Sequence, residues 1–177
     1  MINADWLVND GLNSTNPQSC TNNKDTTWTY NQGVILGGLA DLAVIQKNSA
    51  MIAIGEKIID ATIQHLIQNT SKGAVLLDKC EVDAQGKQKD CGADGSQFKG
   101  IFMRYLSYFC ESNKASAAKY KAFAASQAAI ILSQNSHSTS DSLQFGLHFA
   151  GPFDKADCSR QSSALDAILA DLRLRIA

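Results

Sequence analysis

Residues 26 to 39 read TTWTYNQGVILGGL, and positions 28 to 33 bring together Trp28, Tyr30, Asn31, Gln32 and Gly33. Trp and Tyr offer flat apolar faces with a polar tip, and carboxamides both donate and accept hydrogen bonds. That combination suits a neutral, polyhydroxylated ligand such as a sugar better than an anion or an acyl chain. Asp25, Thr26 and Thr27 are residue types that cap helix starts. They place the cluster at the mouth of a helix, where backbone N–H groups lack intrahelical partners and point outward. The same residues also read as core aromatics beside a completed helix cap, and the pattern alone leaves both readings open.

The elements that must hold this cluster are helical. From Tyr30 to about Ile45, Val34, Ile35, Leu36, Leu39, Leu42, Val44 and Ile45 surround the axis, which predicts a helix buried among others. Gly33, Gly37 and Gly38 lower its helicity, so they are expected to admit a close neighbour or a ligand. From Ser49 to about Gln68, Met51, Ile54, Ile58 and Ala61 form one stripe, with Glu56, Lys57, Asp60 and Gln64 elsewhere. FKGIFMRYLSYF places Phe98, Ile101, Phe102, Tyr105, Leu106 and Phe109 on one helical face. An Ala-rich helix follows over Ser116 to Gln134, and a last one carries Leu165, Ile168, Leu169, Leu172 and Ile176. Extended structure is expected only at AVLLDKCEV, before a polar loop that runs to residue 97. Residues 135 to 160 read as a long loop, and ordered loops of that length are commonly functional. The expectation is one all-α domain over residues 1–177, two layers of helices with loops gathered at one end around a cleft.

Composition narrows the function. With 16 Lys+Arg against 17 Asp+Glu the net charge is -1, which offers no case for nucleic acid or an anionic membrane surface. No apolar run approaches the ~18 residues of a membrane span, and the opening MINADWLVNDG lacks the basic start and apolar run of a signal peptide. Cys20, Cys80, Cys91, Cys110 and Cys158 show no metal-binding spacing, so a disulfide reading outranks a zinc reading. Cys80 and Cys91 flank a polar segment that a bridge would close. Asn13 and Asn69 stand in glycosylation sequons. These features point to a secreted protein whose signal lies outside this chain. His65, His137 and His148 have neither the spacing nor the company of metal ligands.

WTYNQGVILGGLADL, followed by FKGIFMRYL, resembles the paired signatures of glycoside hydrolase family 76, the endo-acting alpha-1,6-mannanases and related fungal cell-wall mannosidases. The tail GLHFAGPFDKADCSRQSSALDAILA also resembles the end of the fungal members, and the likeness runs through essentially the whole chain in order. It implies a partial (α/α)6 toroid with a short β-hairpin insertion, a carbohydrate groove across one end, and retaining hydrolysis or transfer of alpha-1,6-linked mannose. It implies no cofactor. Family members are about twice this length, so the chain looks like a C-terminal half. Residue by residue, Trp28, Tyr30, Asn31, Gln32 and Gly33 match one motif, and Phe98, Lys99, Gly100 and Arg104 match the other.

The resemblance implies that Trp28 and Tyr30 flank sugar rings and that Asn31 and Gln32 bind hydroxyls or hold the groove's backbone. Lys99 either reaches the cleft or pairs with a carboxylate, and Arg104 reads as structural. Phe149 stands where the fungal pattern usually has tryptophan. A larger departure concerns catalysis. Retaining glycosidases need two carboxyl groups ~5 to 5.5 Å apart, which the family supplies as an adjacent Asp-Asp pair upstream of the W-T-Y-N motif. No Asp-Asp occurs in this chain. Glu81, Asp83 and Asp94 remain as possible substitutes, though they read better as solvated loop charges or caps. A mannosidase lacking its catalytic pair is therefore the leading expectation. A cell-wall transglycosidase and a non-catalytic sugar-binding module are its rivals.

Overall fold

A computed structural model describes residues 1–16 and 18–176. The chain opens with irregular segments joined by isolated bridges, Ile2 to Val8 and Leu12 to Asn22. Helix α1 spans Thr29–Gln46, and α2 spans Ser49–His65, capped by Asn48, whose side chain accepts from the Ala50 N–H. Strands β1 (Ile67–Thr70) and β2 (Gly73–Leu76) form an antiparallel hairpin with Ile67 opposite Leu76. A 3-10 turn at Lys79–Glu81 and the one-turn helix α3 (Gly92–Gly95) precede α4 (Phe98–Glu111) and α5 (Lys114–Gln134). Strands β3 (Ser136–Ser138) and β4 (Leu143–Phe145) form a second hairpin, and α6 spans Cys158–Ile176.

Side-chain pairs fix the helix directions. Gly33 meets Phe102, Gly37 meets Tyr105, and Asp41 accepts a hydrogen bond from Tyr108, so α1 and α4 run parallel. Gly100 meets Ser163 and Arg104 pairs with Asp166, so α4 and α6 are parallel too. On the outside, Glu56 bonds Ser116 and Asp60 bonds Tyr120, which makes α2 parallel to α5. Two-residue links at 47–48 and 112–113 fold α2 back along α1 and α5 back along α4, so the outer pair opposes the inner three. Three parallel helices backed by antiparallel ones form the arc expected of a helical hairpin toroid. The N-termini of α1, α4 and α6 gather at one end.

Close packing of the inner helices rests on small residues. A Cβ on Gly33 would stand 2.6 Å from the Phe102 Cα, and one on Gly100 would overlap the Ser163 backbone. Behind these contacts lies a core of Leu36, Ile58, Ile59, Phe102, Leu106 and Phe109. The Gln127 carboxamide docks the first hairpin on α5, donating to the Ala74 carbonyl at 2.8 Å and accepting from the Leu76 N–H at 3.0 Å.

Four expectations require correction. Helix α1 is not buried all round, because Val34, Leu42 and Val44 are exposed and Ile45 is 76% accessible. On α6, Leu165, Leu169, Leu172 and Ile176 also face outward. Ala164, Ala167, Ala170 and Leu174 make its core face instead, since only short side chains let α6 approach α4 so closely. The second helix stops at His65 and yields residues 67 to 70 to a strand, while the expected strand ends at Leu76, before Asp78 and Glu81 enter the 3-10 turn. Finally, the segment 135 to 160 contains the β3–β4 hairpin, anchored by the Asn135 side chain on both the N–H and the carbonyl of Gly146. The Cys80–Cys91 bridge is present. Among the described residues no helix is long and apolar enough to cross a membrane.

Gly33→Ala and Gly100→Ala should each destabilise the fold by about 1 to 3 kcal/mol, because backbone must shift to admit the methyl group. Gly38 has open space around its Cβ position, so Gly38→Ala should be neutral or stabilising by up to ~1 kcal/mol. Urea unfolding of the three variants distinguishes these outcomes.

Candidate functional site

Trp28, Tyr30 and Phe98 meet where α1 and α4 begin. The Phe98 ring centroid lies 5.5 Å from that of Trp28 and 4.4 Å from that of Tyr30, both tilted. All three rings are half-buried, so they form an apolar platform that keeps part of its surface in contact with solvent. Tyr30 donates its hydroxyl to Asp10 at 2.8 Å. Burial and the Asp10 carboxylate raise its pKa, which keeps the phenol protonated. The Asn31 side chain is buried beside it, and its Oδ1 has no hydrogen-bond partner among the described residues. An orphaned buried acceptor is costly to leave unmade.

Gln32 is fully buried. Its Oε1 accepts from the Val8 N–H at 2.7 Å, while its Nε2 donates to the carbonyls of Val8 at 2.9 Å and Trp28 at 2.8 Å. The carboxamide thereby fastens the N-terminal segment to the start of α1. Of the two roles open to Gln32, holding the backbone is the one this geometry performs.

Beneath the platform runs a buried chain of charges. Asp78 accepts from the Thr29 N–H at 2.8 Å and from the Thr29 hydroxyl at 2.6 Å, so it satisfies a donor at the head of α1. The Asp78 N–H donates to Glu81 Oε1 at 2.9 Å. Glu81 Oε2 receives Lys99 Nζ at 2.6 Å and lies 3.2 Å from His148 Nδ1. Lys99 also donates to the Leu147 carbonyl at 2.9 Å and sits 4.3 Å above the Phe149 ring. Lys99 and Glu81 are each 1% exposed. Thus Lys99 forms the ion pair rather than reaching the cleft, and Phe149 lies in the core under its ammonium group.

The environment sets the two carboxyl groups apart. Burial pushes Asp78 up to about 6, against the opposing pull of Thr29. Burial also acts to raise Glu81, but Lys99, His148 and the Asp78 N–H outweigh it and hold the group below its ordinary value. Asp83 accepts from the N–H groups of Gln85 and Lys87 in a turn, and Asp94 is exposed on α3. Glu81, the one buried member of the three, is committed to Lys99, His148 and the Asp78 N–H. His65 is exposed, and His137 stacks on Phe153 at 5.0 Å. Among the described residues no cluster of metal-ligating side chains occurs.

A second anchor closes the same end. Arg160, 1% exposed at the start of α6, pairs with Asp90 at 2.7 Å, Asp154 at 3.2 Å and Asp157. It joins the disulfide-closed loop and the loop after β4 to the helix. Arg104, by contrast, holds Asp166 on the surface between α4 and α6. Sequence reasoning missed the part played by Asp78 and Asp10. The spacing Asp78-x-x-Glu81 carried a usable signal for the first, being that of a reciprocal cap.

The chain matches the signature of "Glycosyl hydrolase family 76" over residues 1–175. No curated protein matches it. Among solved structures, the Lin0763 protein from Listeria innocua is similar at 22% identity and TM-score 0.74, over 99% of this chain and 45% of that one. The GH76A alpha-1,6-mannanase from Salegentibacter sp. HEL1_6 is similar at 22% identity and TM-score 0.65, over 86% of this chain and 41% of that one. An inactive variant of the same enzyme, with two consecutive aspartates changed to asparagine, has been solved in complex with alpha-1,6-mannotriose. The chain spans less than half the length of these structures.

Asp78 has a raised pKa, so the native state binds its proton more tightly than the unfolded chain does. Its contribution to stability is therefore largest below about pH 4 and declines as pH rises to about 6. Relative to Asp78→Asn, the parent should lose on the order of 2 kcal/mol across that window and nothing further above it. Chemical unfolding from pH 4 to 7 checks the sign, and a flat difference would contradict it.

Proposed function

Since the chain belongs to glycosyl hydrolase family 76, we propose that it supplies the carbohydrate-binding wall of a glycosidase acting on alpha-1,6-linked mannan. In this reading it is the C-terminal half of the toroid, and the catalytic Asp-Asp pair comes from the half it does not contain. The observation that carries the proposal is the half-buried platform of Trp28, Tyr30 and Phe98, held at the open end of the inner helices.

Trp28 and Tyr30 offer ring faces to pyranose rings, whose C–H faces are apolar. Asn31, with its unpartnered Oδ1, accepts from a sugar hydroxyl or from a donor of the adjoining half. Gln32, Gly33, Lys99 and Gly100 act indirectly, by fixing the helices from which the platform projects. The adjoining half would bring two carboxyl groups ~5 to 5.5 Å apart, one to attack the anomeric carbon and one to protonate the leaving oxygen. The disulfide and the sequons support a secreted or cell-wall location; Asn69 is exposed on β1. A non-catalytic sugar-binding module is the second reading, favoured by the absence of an Asp-Asp pair from the sequence.

The purified chain should bind alpha-1,6-mannotriose without cleaving it. Trp28→Ala should weaken that binding roughly fivefold to tenfold with little change in thermal stability. Titration calorimetry combined with product analysis on alpha-1,6-mannan is the test. Absence of binding would refute the groove assignment, and turnover would refute the division of labour between halves.

A further inference from the structure

Beside the aromatic platform, residues Asn9, Lys24, Thr26, Thr27, Leu66 and Lys79, with Asp25, line a polar cavity of about 430 Å3. It lies at the same end as the platform, since Thr27 directly precedes Trp28 and Lys79 directly follows Asp78. The charges around it are unevenly committed. Asp10 is taken by the Tyr30 hydroxyl, Asp25 accepts from the Thr26 N–H at 2.7 Å, and Asp78 is turned inward onto Thr29. Lys24 and Lys79 are exposed, and neither has an ion-pair partner among the described residues. Of the three charged side chains that line the cavity, Asp25 accepts the Thr26 N–H, and the two ammonium groups, which outnumber that carboxylate, have no ion-pair partner among the described residues.

The loop that presents Lys24 is built rigidly. Lys24 has φ +57, a left-handed conformation that a non-glycine residue rarely adopts. Two adjacent turns hold it there: the Lys24 N–H donates to Asn22 Oδ1 at 2.7 Å and the Asp25 N–H to Asn23 Oδ1 at 3.0 Å. Asn22 is in turn tied to Asn9 at 2.9 Å. Strained, over-determined backbone of this kind concentrates at ligand sites. None of these contacts uses the lysine ammonium group.

We propose that this cavity binds a phosphate group carried on a saccharide, with the sugar resting on the adjoining aromatic platform. Lys24 and Lys79 supply the opposing charges, and the Thr27 hydroxyl, which has no partner among the described residues, donates a further hydrogen bond to a phosphate oxygen. The proposal rests on the carbohydrate reading of the platform. It extends that reading from neutral mannan to glycans that carry a phosphate ester.

The test uses the full 177-residue chain and four probes: alpha-1,6-mannotriose, methyl alpha-mannoside, methyl alpha-mannoside 6-phosphate and inorganic phosphate. The sugar phosphate is expected to bind roughly tenfold tighter than methyl alpha-mannoside at low salt. That advantage should vanish in Lys24→Gln/Lys79→Gln and shrink steeply in 0.5 M NaCl. The melting temperature should not move, because neither lysine makes a structural contact. Lysine-dependent binding of the sugar phosphate without mannotriose binding would sustain this site and overturn the mannan reading. Mannotriose binding without any gain from the phosphate would overturn this site alone, as would a gain that survives in the double variant. Inorganic phosphate binding as tightly as the sugar phosphate would overturn the claim that the ligand is a saccharide, and binding of no probe would overturn both.

Discussion

The buried chain from Thr29 through Asp78 and Glu81 to Lys99 and His148 is the interaction on which the rest of this structure depends. Two carboxyl groups and an ammonium group withdrawn from water incur a large desolvation cost, which only close pairing and satisfied hydrogen bonds offset. Here nearly every polar atom in the chain has a partner. Its members belong to α1, the 3-10 turn, α4 and the loop after β4, so the pairing fixes four segments relative to one another. Hydrophobic burial alone is non-directional and would not specify that register. Removing one member would leave the others as uncompensated buried charge.

Geometry above the network follows from it. Thr29 lies between Trp28 and Tyr30, so the Asp78 contact that caps α1 also sets where the two aromatics emerge. Lys99 follows Phe98 directly, and its ion pair sets where the third ring stands. The platform is therefore preorganised by charges buried beneath it. Arg160 and the Cys80–Cys91 bridge do the same for the loops around it. Irregular segments can then gather at one end without loss of order.

Commitment of Glu81 to this network bears on the chemistry. A carboxylate held below its ordinary pKa by a buried lysine and a histidine is a poor proton donor, and Glu81 is shielded from solvent. With Asp78 turned onto Thr29 as well, the most perturbed carboxyl groups beneath the platform serve architecture.

Much of this was legible in the amino-acid sequence. The 3.6-residue period of Phe98 to Phe109 marked α4, the polar segment between Cys80 and Cys91 marked the bridge, and the clustered aromatics and carboxamides marked the mouth of α1. These signals are local, carried by residues close in sequence. Which face of α1 and α6 is buried was not local. Leu165, Leu169 and Leu172 hold the spacing of a core stripe, yet helix approach at Gly100 and Ser163 selected the alanine face instead. The partner of Lys99 was likewise undecided, because Glu81 lies 18 positions away and His148 comes from a third segment. Periodicity reports the surface a helix could bury, whereas the distance between backbones decides which surface it does bury, and that distance exists only once the helices have packed.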